Sequence, residues 1–226
     1  MLGITVHAQE GNTLRPTTHG ALWLSAGTEL KPFKKRDGAI TERAFNKNFS
    51  LTGELGWRAA LDPFVTKQAY VSASARYRVS DLWRVGTEYR WSFRDPTRTN
   101  TGRLDLQSWL RWKTGRIRLD HRFQYEHDFI AITKVRSTLR NRLGVEYNIP
   151  KWKLDPHASA ELFTGLHYTG NRNIGIRYEL GTELVLDKSK DRVVGLAMRY
   201  DTELNSVRPQ NTWILVISFE QDFKKK

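Results

Sequence analysis

The chain has 226 residues, with 37 Lys and Arg against 24 Asp and Glu, a formal net charge of +13 and no cysteine. Its length fits one large β domain or two small ones, and the lack of cysteine excludes disulfides and thiolate metal sites. No apolar run approaches the roughly 18 residues of a membrane helix, but a membrane barrel stays open, because its strands hide their apolar face behind alternation. A charge of this size is what a nucleic-acid binder would carry on one helix or loop. Here the arginines are spread over nearly every segment and interleaved with Asp and Glu, so nucleic acid is not expected as a partner.

At the N-terminus, Val6-His7-Ala8 before Gln9 resembles the end of a signal-peptide cleavage site. Residues 1–20 are therefore expected to be a signal-peptide remnant and flexible N-terminus, 21–223 a transmembrane β-barrel, and 224–226 a basic tail. The first strand sets Leu22, Leu24, Ala26, Thr28 and Leu30 against Trp23, Ser25, Gly27 and Glu29. After the basic turn Lys31 to Arg36, Phe49, Leu51, Leu55 and Trp57 alternate with Ser50, Thr52, Glu54 and Arg58. Ala69 to Val79 follows, with Gln68, Tyr70, Ser72, Ser74, Arg76 and Arg78 on its polar face. The Ser80-Asp81 turn leads into the most regular strand, where Trp83, Val85, Thr87, Tyr89, Trp91 and Phe93 oppose Arg84, Gly86, Glu88, Arg90 and Ser92.

Arg103 to Asp128 reads as a hairpin. Leu104, Leu106, Leu110 and Trp112 alternate with Arg103, Asp105, Gln107, Arg111 and Lys113, a Thr114-Gly115 turn intervenes, and alternation resumes from Arg116 to Glu126. Each arm runs about ten to twelve residues, against a usual five or six. Val135 to Tyr147, Ala158 to Leu166, Ile174 to Leu186, Val194 to Glu203 and Trp213 to Phe223 repeat the pattern, with the polar turn Asp187 to Asp191 between the third and fourth of these.

Long strands, aromatic on one face and ionic on the other, point to an all-β fold: a closed antiparallel transmembrane barrel with lipid outside and water within. Twelve residues at about 3.3 Å, tilted some 45°, rise nearly 28 Å, close to the roughly 25 Å apolar band of an outer membrane. Eleven strands are visible. Bacterial single-chain barrels have even counts with both ends in the periplasm, so about twelve are expected, with ten as the other choice. The missing strand is sought in Asn12 to Thr18 or Gly38 to Asn46. The turns at Ser80-Asp81, Thr114-Gly115 and Asp187 to Asp191 should share one side, with Asp62 to Lys67, Asp95 to Gly102 and Asn205 to Asn211 on the other.

A set of residues along these strands also carries a likeness. It comprises the early Trp23 strand, Glu54 and Arg58, the hairpin residues Tyr77, Asp81, Gly86, Tyr89 and Arg90, the His121-Arg122 pair, Arg140 and Arg142 with Leu143, and Glu161-Leu162-Phe163. From about Trp23 to Phe223 the chain resembles the uncharacterised Bacteroidota outer-membrane barrels catalogued as domain of unknown function 2490. The resemblance implies an outer-membrane barrel and no established activity. The Lys224 to Lys226 tail departs from the usual aromatic C-terminus of such barrels.

No catalytic constellation is expected. His121 and His127 fall on the apolar face without a local nucleophile motif. His157 and His167 flank Glu161 too far apart along a strand, roughly 13 to 20 Å, to share one ion. Nucleophile elbows and phosphate loops are absent. No cofactor and no metal are expected, and the chain is not expected to be an enzyme. The functional candidates are instead the inward charges Arg76, Arg78, Arg84, Glu88, Arg90, Arg111, Arg118, Arg122, Arg140, Arg142, Glu161, Arg177, Glu179 and Arg199, which would line the lumen. Trp57, Trp83, Tyr89, Trp91, Trp112, Tyr125, Trp213 and Phe219 would face lipid and form the interfacial girdles. The leading expectation is a narrow porin-like channel with a salt-bridged, Arg-rich lumen biased to anionic solutes, in a Gram-negative outer membrane. The alternatives are a non-conducting scaffold of an envelope complex and a lipid-modifying enzyme. Expected partners are outer-membrane lipid and lipopolysaccharide, with other envelope proteins as further candidates.

Overall fold

The structure, a computed structural model, describes residues 15–32, 45–94, 99–129, 136–150, 152, 154–167, 169–187 and 191–223. Within them lie eleven strands: β1 (Thr17–Leu30), β2 (Phe49–Leu61), β3 (Phe64–Arg78), β4 (Trp83–Arg94), β5 (Thr101–Thr114), β6 (Ile117–Asp128), β7 (Ser137–Tyr147), β8 (Leu154–Leu166), β9 (Arg172–Val185), β10 (Arg192–Glu203) and β11 (Gln210–Phe223). Residues 1–14 of the expected signal-peptide remnant and flexible N-terminus, the basic turn from Phe33 onward, Val135 and the Lys224 to Lys226 tail lie outside the described residues, whereas Thr17 to Gly20 open β1.

Each strand pairs antiparallel with the next, and β1 meets β11 to close the ring. That last pair is parallel, from Thr17 opposite Gln210 to Leu30 opposite Phe223. The parallel seam is a matter of counting. Sequential hairpins reverse direction at every step, so strands 1 and 11 point the same way and can close only in parallel. The expected even count is therefore corrected to eleven among the described residues, and β1 enters at the rim opposite the one where β11 ends. Of the segments proposed for a twelfth strand, Thr17 and Thr18 open β1, 45–48 form a short helical turn, and Asn12 to Leu14 and Gly38 to Ala44 lie outside the described residues. Parallel pairing is slightly weaker per residue, but closure removes two open edges that would otherwise pair with other chains.

The strand connections sort as the alternation requires. Residues 79–82, 115–116, 148–150, 152, 186–187 and 191 lie at one rim, here called lower, with the end of β11. Residues 62–63, 99–100, 129, 136, 167, 169–171 and 204–209 lie at the upper rim with the start of β1. The β5–β6 turn sits one residue later than expected. Thr114 pairs with Ile117, so the turn is Gly115-Arg116. Gly115 has φ 58° at the first central position, where a two-residue type II′ hairpin needs glycine. The correction leaves the faces unchanged, because Trp112 still pairs with Leu119.

Burial is inverted relative to a water-soluble domain. The buried side chains include Ser50, Ser72, Ser92, Thr101, Asp105, Gln107, Gln124, Glu126 and Glu161, whereas the buried apolar ones are only Ala59, Tyr70, Ala197 and Ile214 among the described residues. Leu55, Leu143 and Leu180 are more than 60% exposed on the outer face. An ordinary core reverses both sets. No described helix is long and apolar enough to cross a membrane, which says nothing of strands.

Small inward residues let neighbouring walls approach. A Cβ on Gly86 would stand 2.8 Å from the Ala75 carbonyl oxygen and 3.1 Å from the Trp109 ring, whereas one on Gly53 would meet nothing closer than 3.7 Å. Gly86→Ala is therefore expected to destabilise the refolded barrel by about 1–3 kcal/mol through overpacking. Gly53→Ala should change stability by less than about 0.5 kcal/mol. Thermal unfolding of the two variants side by side checks this.

Candidate functional site

The interior carries a relay of opposite charges that moves one strand at a time. Arg103 on β5 bonds Glu126 on β6 at 2.7 Å, and Glu126 accepts a second bond from Arg140 on β7 at 2.6 Å. Arg140 then forks onto Glu161 of β8, with Nε and Nη2 at 3.1 and 2.7 Å from its two oxygens. Glu161 also accepts from Arg122 at 2.6 Å and lies 3.7 Å from Arg177 of β9. Arg177 forks in turn onto Asp201 of β10, at 2.7 and 2.6 Å. The register makes this sequence of contacts natural, since Glu161 stands opposite Arg142 on one side and Arg177 on the other. Glu161 is 3% exposed. Such a carboxylate is tolerable only with its lone pairs filled, and the bidentate guanidinium is the donor that fills two at once. Nearby, Arg199 pairs with Glu179, which also lies 3.5 Å from His157, while Arg142 pairs with Asp120 and Arg118 with Glu146.

The rest of the circle is aromatic. Trp23 of β1 has the guanidinium of Arg58 4.0 Å from its ring centre, with those of Arg177 and Arg199 at 5.2 and 5.4 Å. Tyr70 of β3 has Arg90 at 4.3 Å and Arg58 at 5.1 Å, and its hydroxyl donates to Glu54 at 2.5 Å. Phe163 lies under Arg140 and Arg177 at 4.8 and 5.1 Å. Each desolvated cation–π contact contributes up to about 2 kcal/mol. Ion pairs and ring contacts together form a girdle from β1 to β10.

Inside the girdle is a cavity of about 330 Å³, bordered by eight arginines and six carboxylates. The imbalance has an address. Arg90, Arg122, Arg140, Arg142, Arg177 and Arg199 each contact a carboxylate. Among the described residues, Arg58 and Arg76 have none within ion-pair distance and are held only against rings, Arg76 over Trp109 at 5.5 Å. Two smaller cavities of about 70 and 80 Å³ share Arg76 and lead toward the lower rim.

At that rim, like charges stand together. Arg78 is directly opposite Arg84, and Arg84 also feels Arg111, with Glu29 as an opposing charge. On β1 and β11, Glu29 is directly opposite Asp222, and Glu220 feels Glu183, with Arg76 as an opposing charge. Like charges paired across strands cost stability. Opposite signs also meet at this rim, where Glu29 borders the small cavity beside Arg76, Arg78 and Arg84.

Of the fourteen lumen candidates, Arg76, Glu88, Arg90, Arg122, Arg140, Arg142, Glu161, Arg177, Glu179 and Arg199 border the central cavity. Arg78 and Arg84 border the small one at the lower rim. Arg118 is on the same inward parity of β6, where it meets Glu146, and Arg111 stands opposite Asp120. Among the girdle candidates, Trp83, Tyr89, Trp91, Trp112, Trp213 and Phe219 are exposed on the outer face. Trp57 packs against the exposed Phe64 and also borders the central cavity, and Tyr125 shares Ser137 with His127. The site list built from charge alternation omits Arg58, Arg103, Glu126, Trp23, Tyr70 and Phe163. Its missed signal is an aromatic residue on the polar parity of a strand, which marks a ring turned inward among arginines.

A family model described as Protein of unknown function (DUF2490) matches residues 23–211. The chain belongs to that family. No curated protein matches it. The DUF2490 span begins at Trp23 and takes in every ring and charge of the girdle described above.

Removing one member of a buried pair leaves the other charge uncompensated. Glu161→Gln is therefore expected to destabilise this DUF2490 barrel by about 3–5 kcal/mol. Glu220→Gln, at a carboxylate without an ion pair among the described residues, should change stability by less than about 0.5 kcal/mol. Urea unfolding of both variants in detergent distinguishes a stability-bearing girdle from incidental contacts.

Proposed function

We propose that the barrel spans the outer membrane of a Gram-negative bacterium and acts as a narrow channel favouring small anions. One observation carries the sign of the bias: of the eight arginines around the central cavity, Arg58 and Arg76 have no carboxylate partner among the described residues. The outer face supports the membrane placement, since leucines and tryptophans there would find lipid and lipopolysaccharide acyl chains where water would be unfavourable. The lower rim bears both signs, with Glu29 bordering the same small cavity as Arg78 and Arg84, so selectivity falls to the inner girdle. There, a ring of fixed guanidinium charge raises the local concentration of anions.

The girdle itself favours a second reading. Ion pairs that step from wall to wall narrow the lumen, and a barrel narrowed enough would serve as a non-conducting scaffold for envelope partners. Planar-bilayer recording separates the two. Under a KCl gradient, the channel reading predicts discrete conductance with a reversal potential on the chloride side, moved toward zero by Arg76→Gln. A cation-selective reversal potential would contradict the bias, and zero conductance would favour the scaffold.

A further inference from the structure

Arg58 is a buried charge with no carboxylate within ion-pair distance among the described residues. Its guanidinium lies between the Trp23 and Tyr70 rings, 4.0 and 5.1 Å from their centres. Its Nε is buried without an acceptor, as is the Nε of Arg90, which shares the Tyr70 ring at 4.3 Å. The charged side chains Arg58 feels most are Arg90, Arg103 and Arg177, all positive. Ring faces stabilise the cation but cannot accept its five N–H bonds. The Tyr70 hydroxyl donates to Glu54, and Arg58 reaches Tyr70 through its ring face. Six of the eight arginines around the cavity have a carboxylate beside them. Of the two that do not, Arg76 lies over one ring, whereas Arg58 is set between two rings with Arg90 beside it, an arrangement that calls for an acceptor from outside.

The geometry points to a binding site for a small oxyanion, a carboxylate or a phosphate, held by Arg58 and Arg90 over Tyr70 inside the central cavity. Two guanidinium edges with unused donors match the planar or tetrahedral oxygens of such a group, which a halide lacks. A cavity of about 330 Å³ suits a small organic acid or phosphate ester and excludes a lipid. The site rests on the water-filled barrel proposed above, but not on conduction. A resident anion would also explain why Arg58 persists, since an unpaired buried charge is otherwise a cost that an apolar side chain would remove.

The test uses the refolded full chain in detergent. Thermal unfolding is followed while inorganic phosphate, or separately acetate, replaces chloride at constant ionic strength. The wild type is expected to gain stability along a saturating curve, as for any ligand that binds only the folded state. Arg58→Met should keep only the shallow, unsaturating slope of a general salt effect, while Arg76→Met should keep the saturating curve. If Arg58→Met fails to fold, Arg58→Lys retains the charge without the fork. Its apparent affinity should fall about tenfold or more, the loss expected for one charge-assisted bond. A wild type that responds to neither anion overturns the site, as does an Arg58→Met curve that still saturates or an Arg58→Lys affinity equal to wild type. Bilayer recording is scored apart. A conducting barrel without the saturating response loses the site and keeps the channel, and a silent barrel with the response keeps the site and loses the channel.

Discussion

The guanidinium–carboxylate link between adjacent strands is the interaction on which the interior depends. A barrel with its apolar residues outside must fill its centre with polar groups, and each of those must find a partner. Arg103, Glu126, Arg140, Glu161, Arg177 and Asp201 solve this by alternating sign from β5 to β10. Ion pairs of this kind contribute little net stability compared with a well-packed apolar core. Their value is orientational, since a bidentate fork fixes both side chains and so fixes the shape of the space between them. The cavity walls are therefore set by charge geometry, with Trp23, Tyr70 and Phe163 as flat supports.

Closure has the second largest consequence. Eleven strands force a parallel seam between β1 and β11, and the seam places Trp23 opposite Val216. Because β11 gives the girdle an aliphatic side chain at this level, the Trp23 ring has room to receive guanidinium groups from β2, β9 and β10. The aromatic half of the girdle thus lies next to the seam, and the ionic half lies across the barrel from it.

Which residues face in and which face out was legible from period two alone, because a slip of one residue on a strand such as β4 would send Arg84, Glu88 and Arg90 outward together. The strand count was not legible. An even number is a regularity of other barrels, whereas the parallel seam depends on backbone pairing between segments nearly 200 residues apart, which no local pattern records. The Gly115 turn was missed by one residue because Thr114 fits either the strand end or the turn, and only the positive φ of Gly115 settles its place. The charged wall was legible as a set, but its partners were not. Arg140 meets Glu126 and Glu161 diagonally, so neither sequence spacing nor simple parity marks it as the centre of the relay, or Arg58 and Arg76 as the cavity arginines left without a carboxylate.

The account stands on the inversion of inside and outside. A nitroxide scan along β4, one cysteine at a time from Trp83 to Arg94 in lipid vesicles, tests it most directly. Collision with lipid-soluble oxygen should peak at positions 83, 85, 87, 89, 91 and 93. Collision with a water-soluble nickel chelate should be lowest at those positions, so that the two profiles alternate out of phase with period two. Profiles in phase, or oxygen maxima at Arg84, Glu88 and Arg90, would contradict the inverted barrel and the charged lumen with it.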